Sequence, residues 1–216
     1  MRKIIAATFV SLDGVMQAPG GPEEDPVGGF TLGGWTFHYW DDVMGTAMGE
    51  TFGKPFALLL GRKTYDIFAA HWPYQDDPIG EAFNAATKYV ATHRPDSLTW
   101  RNTLSLGSDI VATLRALRQE DGPNLLIQGS SNLIQTLLAN DLIDEIRLLI
   151  FPLVLGKGKR LFGDGAVPAA FRLAKSQASS TGVIMATYER AGEISVGSFA
   201  QEKPSDAEIE RRKTWK

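Results

Sequence analysis

The 216-residue chain has no cysteine, three histidines and no long uninterrupted apolar run. The missing thiols exclude disulfides, cysteine nucleophiles and cysteine-ligated metals. His38, His71 and His93 have no second ligand at metal spacing, so no protein metal site is expected. Nothing approaches the ~18 to 20 consecutive apolar residues of a membrane span. The opening MRKIIAATFVSLDG has only a brief, alternating apolar part and no small-residue cleavage site, and reads as a first strand of a cytoplasmic protein. A net charge of −3 provides no global attraction to nucleic acid or anionic lipid, so any anion site must be local.

Several motifs are also missing. A phosphate loop ending in Lys63 and Thr64 requires glycine where Ala57 and Arg62 stand. In GKGKRLF, Leu161 occupies the place of the third glycine of a dinucleotide fingerprint. There is no Gly-x-Ser-x-Gly elbow.

The residues that are present make 44% of the chain hydrophobic, enough for one substantial core. Strand patterns fall at 3–10, 56–60, 88–92, 124–128 and 145–155. Between them, Ser108 can cap a helix with Ile110, Val111, Leu114 and Leu117 on one face, and Ser131 a second with Leu133, Ile134, Leu137 and Leu138. This alternation implies crossovers in a largely parallel sheet. Near the end, 171–178 and 183–190 flank SSTG and suggest an antiparallel hairpin, so the α/β sheet is mixed. Residues 17–35, QAPGGPEEDPVGGFTLGGW, are too long for an ordinary connector and suggest a lid or the wall of a site. Residues 191–216 form a polar tail in which Ser205 can cap a short charged helix.

Three turns follow strands. Gly61-Arg62-Lys63-Thr64 combines a permissive glycine, two cations and a hydroxyl able to cap the following helix; Gln128-Gly129-Ser130-Ser131 is the second; Thr92-His93-Arg94 is the third. Free amides and the positive end of a helix dipole favour anions at such junctions. Each alone is a common surface turn, but together they suit an extended, multiply charged cofactor.

FVSLDGVM, LLLGRKTYDIF, LIQGSSNLIQTLL and LIDEIRLLIFPLVLGKGKRLF occur in an order and spacing that resembles the reductase domain of riboflavin biosynthesis and its dihydrofolate reductase-like relatives, over roughly residues 2–190. The resemblance implies a dihydrofolate reductase-like three-layer fold: a mixed, mostly parallel sheet of about eight strands in a domain spanning 1–190, with helices on both faces. It also implies NADPH as hydride donor and a homodimer. It puts the cofactor phosphates on Gly61, Arg62, Lys63 and Thr64 and on Gln128, Gly129, Ser130 and Ser131, with the 2′-phosphate near Thr92, His93 and Arg94. Ser11 and Asp13 fall beside substrate and nicotinamide, although Asp13 equally suits a turn aspartate satisfying its own backbone. Trp40, Asp41 and Asp42 fall at the start of a substrate-facing helix, where either carboxylate orients or protonates a heterocycle, or simply suits the helix dipole. Lys157, Lys159 and Arg160 are placed to hold a substrate phosphate, or form a basic surface turn. The expected activity is hydride transfer to a C=N or C=O carbon of a heterocyclic or ribosylamino compound, as in 5-amino-6-(5-phosphoribosylamino)uracil reduction. A pterin or folate reductase and a non-catalytic nucleotide binder remain as alternatives.

Overall fold

The computed structural model describes residues 1–163, 166–199 and 204–215. Eight strands form one sheet: β1 Ile4–Ser11, β2 Phe56–Gly61, β3 Lys88–Ala91, β4 Thr103–Ser105, β5 Asn124–Gln128, β6 Glu145–Phe151, β7 Phe171–Ala178 and β8 Ile184–Arg190, in the order β4-β3-β2-β5-β1-β6-β8-β7. From β4 to β6 every pairing is parallel; β8 runs antiparallel to β6, and β7 to β8. The helices are α1 Asp42–Phe52, α2 Arg62–His71, α3 Pro78–Ala85, α4 Ile110–Gln119, α5 Ser131–Ala139 and α6 Asp206–Thr214.

Alternation along β1 explains the layering, because successive side chains of a strand point to opposite faces. Ile4, Ala6 and Val10 pack with Leu114 and Leu117 of α4 and Leu133, Ile134 and Leu137 of α5. Ile5 and Ala7 face the other side, with Phe52 of α1 and Phe56. Farther along that second face, Leu58 and Leu60 of β2 pack with Tyr65 of α2 and Phe83 of α3. A central strand covered on both faces explains why β1 reads as an almost continuous apolar block.

The local signals differ from expectation in several places. Asp109, not Ser108, caps α4 by accepting from the Ala112 amide at 2.9 Å. Ser130, not Ser131, is the N-cap of α5, and Gly61, not Thr64, that of α2. The strand expected over 145–155 stops at Phe151, where Pro152 removes a ladder donor and Leu153 turns back to donate to the Phe151 carbonyl at 2.8 Å. Strand β4 and helix α3 have no counterpart in the sequence expectations; α3 is set by Asp77 capping at its start with Pro78 behind it. Ser205 does cap α6, which has no buried residue.

The Gly/Pro-rich segment 17–35 is a packed wall. Phe30 and Trp35 are buried, and the Trp35 indole donates to the Gln17 carbonyl at 2.8 Å. The Gln17 side-chain amide donates to the carbonyls of Asp25 and Val27, at 2.9 and 2.8 Å. Two glycines allow the folding: Gly33 lies against the Gly21 carbonyl, and Gly158 against Val15 and Phe30, where a Cβ has no room.

Candidate active site along the carboxyl edge of the sheet

Strands β3, β2, β5, β1 and β6 are neighbours and parallel, so their C-terminal ends line one edge. Open parallel sheets place ligands outside this edge, because the following helices start there with free amides. The structure brings the three sequence-identified turns together on β3, β2 and β5.

A single hydroxyl joins two of them. The Gly61 amide donates to Ser130 Oγ at 2.9 Å, and that hydroxyl donates to Thr64 Oγ1 at 2.9 Å. Ser130 holds φ at 62° and follows Gly129 at 68°, two consecutive left-handed residues that bend the chain sharply into α5. For a serine this is strained backbone, of a kind that concentrates at functional sites. Neither α2 nor α5 has a side chain capping its first amides, so both helices present uncapped N-termini at this edge. A Cβ on Gly61 meets Ser130, and one on Gly129 meets Thr64, each at 3.4 Å.

The third turn is tied in by Arg62. Its guanidinium donates to Ser97 Oγ at 2.6 Å, the Arg94 carbonyl at 3.2 Å and Thr92 Oγ1 at 3.4 Å. It also pairs with Asp66, one turn along α2, at 2.8 Å. Arg94 is exposed and approaches Asp66 at 3.9 Å; His93 is exposed. Arg62, Lys63, Asp66, Arg94, Glu24 and Asp25 are among the residues lining a cleft of about 470 Å³ here.

Asp25, Asp66 and Gln17 matter to this arrangement and were not picked out from the sequence. Asp25 is only 7% exposed and pairs with Lys63 at 3.3 Å and, more closely, with Lys159. Burial by itself raises its carboxyl, but the two ammoniums outweigh burial and hold it below the ordinary aspartate value. The glycine-rich sequence around EED conceals a carboxylate that only the folded loop delivers to two lysines from distant segments.

The sequence-assigned carboxylates are all occupied or exposed. Asp13 accepts from Ser11 Oγ at 2.6 Å, the Leu155 amide at 3.1 Å and the Gly156 amide at 2.9 Å, with Arg160 at 3.4 Å. The Ser11 hydroxyl and these amides favour the anion and lower its pKa. It clasps the turn after β1 to the 153–160 segment. Asp41 caps α1 through the Met44 amide and accepts both the hydroxyl and amide of Ser180, at 2.7 and 2.8 Å. Led by the Ser180 hydroxyl, these bonds lower its pKa too. Asp42 is exposed in the first turn of α1. Asp13 and Asp41, both lowered, lack the raised pKa that suits a proton donor at neutral pH.

In the GKGKR turn, Lys159 is engaged by Asp25 and Arg160 by Asp13, and Lys157 is exposed. Aromatic rings occupy the β1–β6 end of the edge. Phe9 meets Trp40 edge-on at 6.3 Å and Phe151 at 5.8 Å, and Trp35 and Tyr39 also contact Phe151. Among the described residues there is no cluster of metal-ligating side chains, and no helix is long and apolar enough to cross a membrane.

An eight-stranded, mostly parallel sheet with this order and antiparallel C-terminal strands defines a dihydrofolate reductase-like fold. Residues 2–185 match the RibD C-terminal domain, and the chain belongs to that family of NADPH-dependent reductases. It is 26% identical over 196 residues to the uncharacterized protein YyaP of Bacillus subtilis, covering 87% of this chain and 94% of that one. Solved structures share the fold, two among them as follows. One is a protein provisionally named for riboflavin biosynthesis from Shewanella sp. PV-4, with TM-score 0.58 and 24% identity, covering 88% of this chain and 99% of that one. The other is dihydrofolate reductase from Enterococcus faecalis complexed with NADP(H), with TM-score 0.53 and 17% identity, covering 87% and 96%.

Proposed function

We propose that the protein is an NADPH-dependent reductase that delivers a hydride to the carbon of a C=N or C=O bond in a small heterocyclic compound. The observation that carries this reading is the union of two uncapped helix N-termini, at Gly61 and Ser130, with the Arg62–Thr92 corner, one strand away from a cluster of aromatic rings. The residues fit the cofactor: the uncapped helix starts after β2 and β5 offer free amides to a pyrophosphate, and Arg62 and Arg94 suit a 2′-phosphate. When bound, NADPH supplies the hydride and is left as NADP⁺.

The chain's own contribution is placement and shielding. Trp40 and Phe9 offer faces and edges against which a flat substrate can lie, holding the acceptor carbon in one orientation. The wall 17–35, closed by Trp35 and Gln17, limits water on that side. As hydride reaches the carbon, the π pair moves onto nitrogen or oxygen, which then takes a proton. With Asp13 and Asp41 held as anions, that proton comes from solvent.

An absorbance screen for NADPH oxidation against pterins, folates and aminouracil ribosides, beside calorimetric titration with NADPH, tests the proposal. Binding together with oxidation of at least one compound is expected. Cofactor binding with no turnover of any member supports a nucleotide-binding protein instead, and no binding at millimolar cofactor ends both readings.

A further inference from the structure

We propose that the turn between β7 and β8 belongs to the substrate site, where Ser180 and Thr181 act as positioning residues that hold Trp40 through its two neighbours, Asp41 and Tyr39. The inference rests on the reductase reading above and assigns the residues that fix how a flat substrate lies in that site.

Strand β6 runs parallel to β1, and β8 pairs antiparallel to β6 with Ile184 opposite Ile150, so the turn at 179–182 reaches the carboxyl edge of the sheet. Every side chain of β7 from Arg172 to Ala178 is exposed, and the hairpin adds little to the core. Its turn, by contrast, is bonded throughout. Gly182, at φ 87°, donates to the Ser179 carbonyl at 3.2 Å, and the Ser179 amide donates to the Val183 carbonyl at 2.9 Å. Thr181 Oγ1 has one proton, which goes to the Tyr39 carbonyl at 2.6 Å, a group that can only accept. Ser179 Oγ, 2.9 Å from Thr181 Oγ1, is therefore the donor to it. Ser179 Oγ in turn accepts from the Val183 amide at 3.0 Å, so the hydroxyl chain starts on the backbone beside β8 and ends on Tyr39.

Trp40 needs this support because its own ties are weak. It is a single extended residue, at φ −69° and ψ 131°, between the short 3-10 helix Phe37–Tyr39 and Asp41, the N-cap of α1. Its amide reaches the Phe37 carbonyl only at 3.4 Å, and its side chain is 45% exposed, meeting Phe9 edge-on. The direction in which the ring leaves the backbone therefore depends on residues 39 and 41, and the turn holds both. Asp41 divides its carboxylate: Oδ1 accepts from the Met44 amide and caps α1, whereas Oδ2 accepts the amide and the hydroxyl of Ser180 at 2.8 and 2.7 Å. The cap uses one oxygen. The other serves the turn, and bonds to a charged acceptor are the stronger kind. Positioning at this level matters to a hydride transfer, since a misplacement of about 1 Å can cost about a hundredfold in rate.

Fluorotryptophan at the five tryptophan positions gives each ring its own fluorine magnetic-resonance signal, and Trp40→Phe identifies that of Trp40. Ser180→Ala with Thr181→Val removes both hydroxyls and is expected to shift or broaden the Trp40 signal while those of Trp72, Trp100 and Trp215 stay in place. An unmoved Trp40 signal overturns the proposal, and so does a displacement of all five, which means general loosening. With a compound that the oxidation screen identifies, kcat/KM of the double variant is expected to fall about tenfold while the NADPH dissociation constant stays within about twofold. An unchanged kcat/KM overturns the assignment, as does an equal loss of cofactor affinity. If the double variant does not fold, Asp41→Asn decides by the same readouts, because asparagine caps a helix as well as aspartate but has one acceptor oxygen to divide between Met44 and Ser180. A screen in which nothing is oxidised defeats the reductase reading, whereas a Trp40 signal that does not respond defeats this inference alone.

Discussion

Ser130 and Gly61 lie 69 residues apart in sequence, yet the Gly61 amide donates to the Ser130 hydroxyl at 2.9 Å, fastening the corner after β2 to the corner after β5. The same hydroxyl donates to Thr64, so one side chain sets the spacing of two helix N-termini. Ser130→Ala is expected to lower stability by about 1–3 kcal/mol through the unpaired Gly61 amide, and to raise the NADPH dissociation constant about tenfold. Thermal denaturation and calorimetry measure the two. Unchanged cofactor affinity means that the spacing of the corners does not matter to binding.

Arg62 is held by Ser97, the Arg94 carbonyl, Thr92 and Asp66 before any ligand arrives. A guanidinium fixed in this way favours a phosphate at a defined place, so Arg62→Ala is expected to weaken NADPH far more than NADH. Parallel titrations with both cofactors measure this. Equal losses would show that Arg62 does not read the 2′-phosphate.

Asp13 separates a structural role from a catalytic one. Its pKa is lowered by the Ser11 hydroxyl and the Leu155 and Gly156 amides, so it stabilises the fold above the ordinary value of 3.8. That contribution is lost as pH falls through the lowered folded value, because the unfolded chain then binds more protons. Asp13→Asn is expected to reduce stability at neutral pH, to flatten this acid-side dependence, and to leave the shape of the kcat–pH profile unchanged. Denaturant titrations across the acid range and a pH–rate profile provide the measurements. A lost ionisation in the profile would return Asp13 to the chemistry.

Lys88 is fully buried, donating to the carbonyls of Phe83, Asn84 and Ala86 at 2.8–3.1 Å and lying over the Trp100 ring at 4.3 Å. It closes the C-terminal end of α3. Burial pushes its pKa down to about 8 from 10.5. Between these values the unfolded chain holds a proton that the folded chain has released, so stability is expected to rise with pH across that window. Lys88→Met should abolish this rise and cost about 1–3 kcal/mol near neutrality, because three helix-end carbonyls lose their donor. Chemical denaturation of both proteins across the alkaline range tests the sign.

Local chemistry was enough to reveal the alternation of strands and helices, the two cores of α4 and α5, the C-terminal hairpin and the Ser205 cap, because each rests on apolar period or on neighbouring residues. The three turns at strand ends were legible for the same reason: glycine, hydroxyl and cation stand close together in the chain. Lys63 and Lys159 were legible as cations but not as engaged ones, since the buried Asp25 that pairs with both arrives through a long glycine-rich wall held by Gln17. Asp13 and Asp41 likewise looked like candidate acids until the fold supplied Leu155, Gly156 and Ser180 as donors. Residue type and short spacing determined where charge and turns lie; only tertiary structure decided which charges remain free, because a counter-ion from a distant segment costs nothing in sequence proximity and everything in availability.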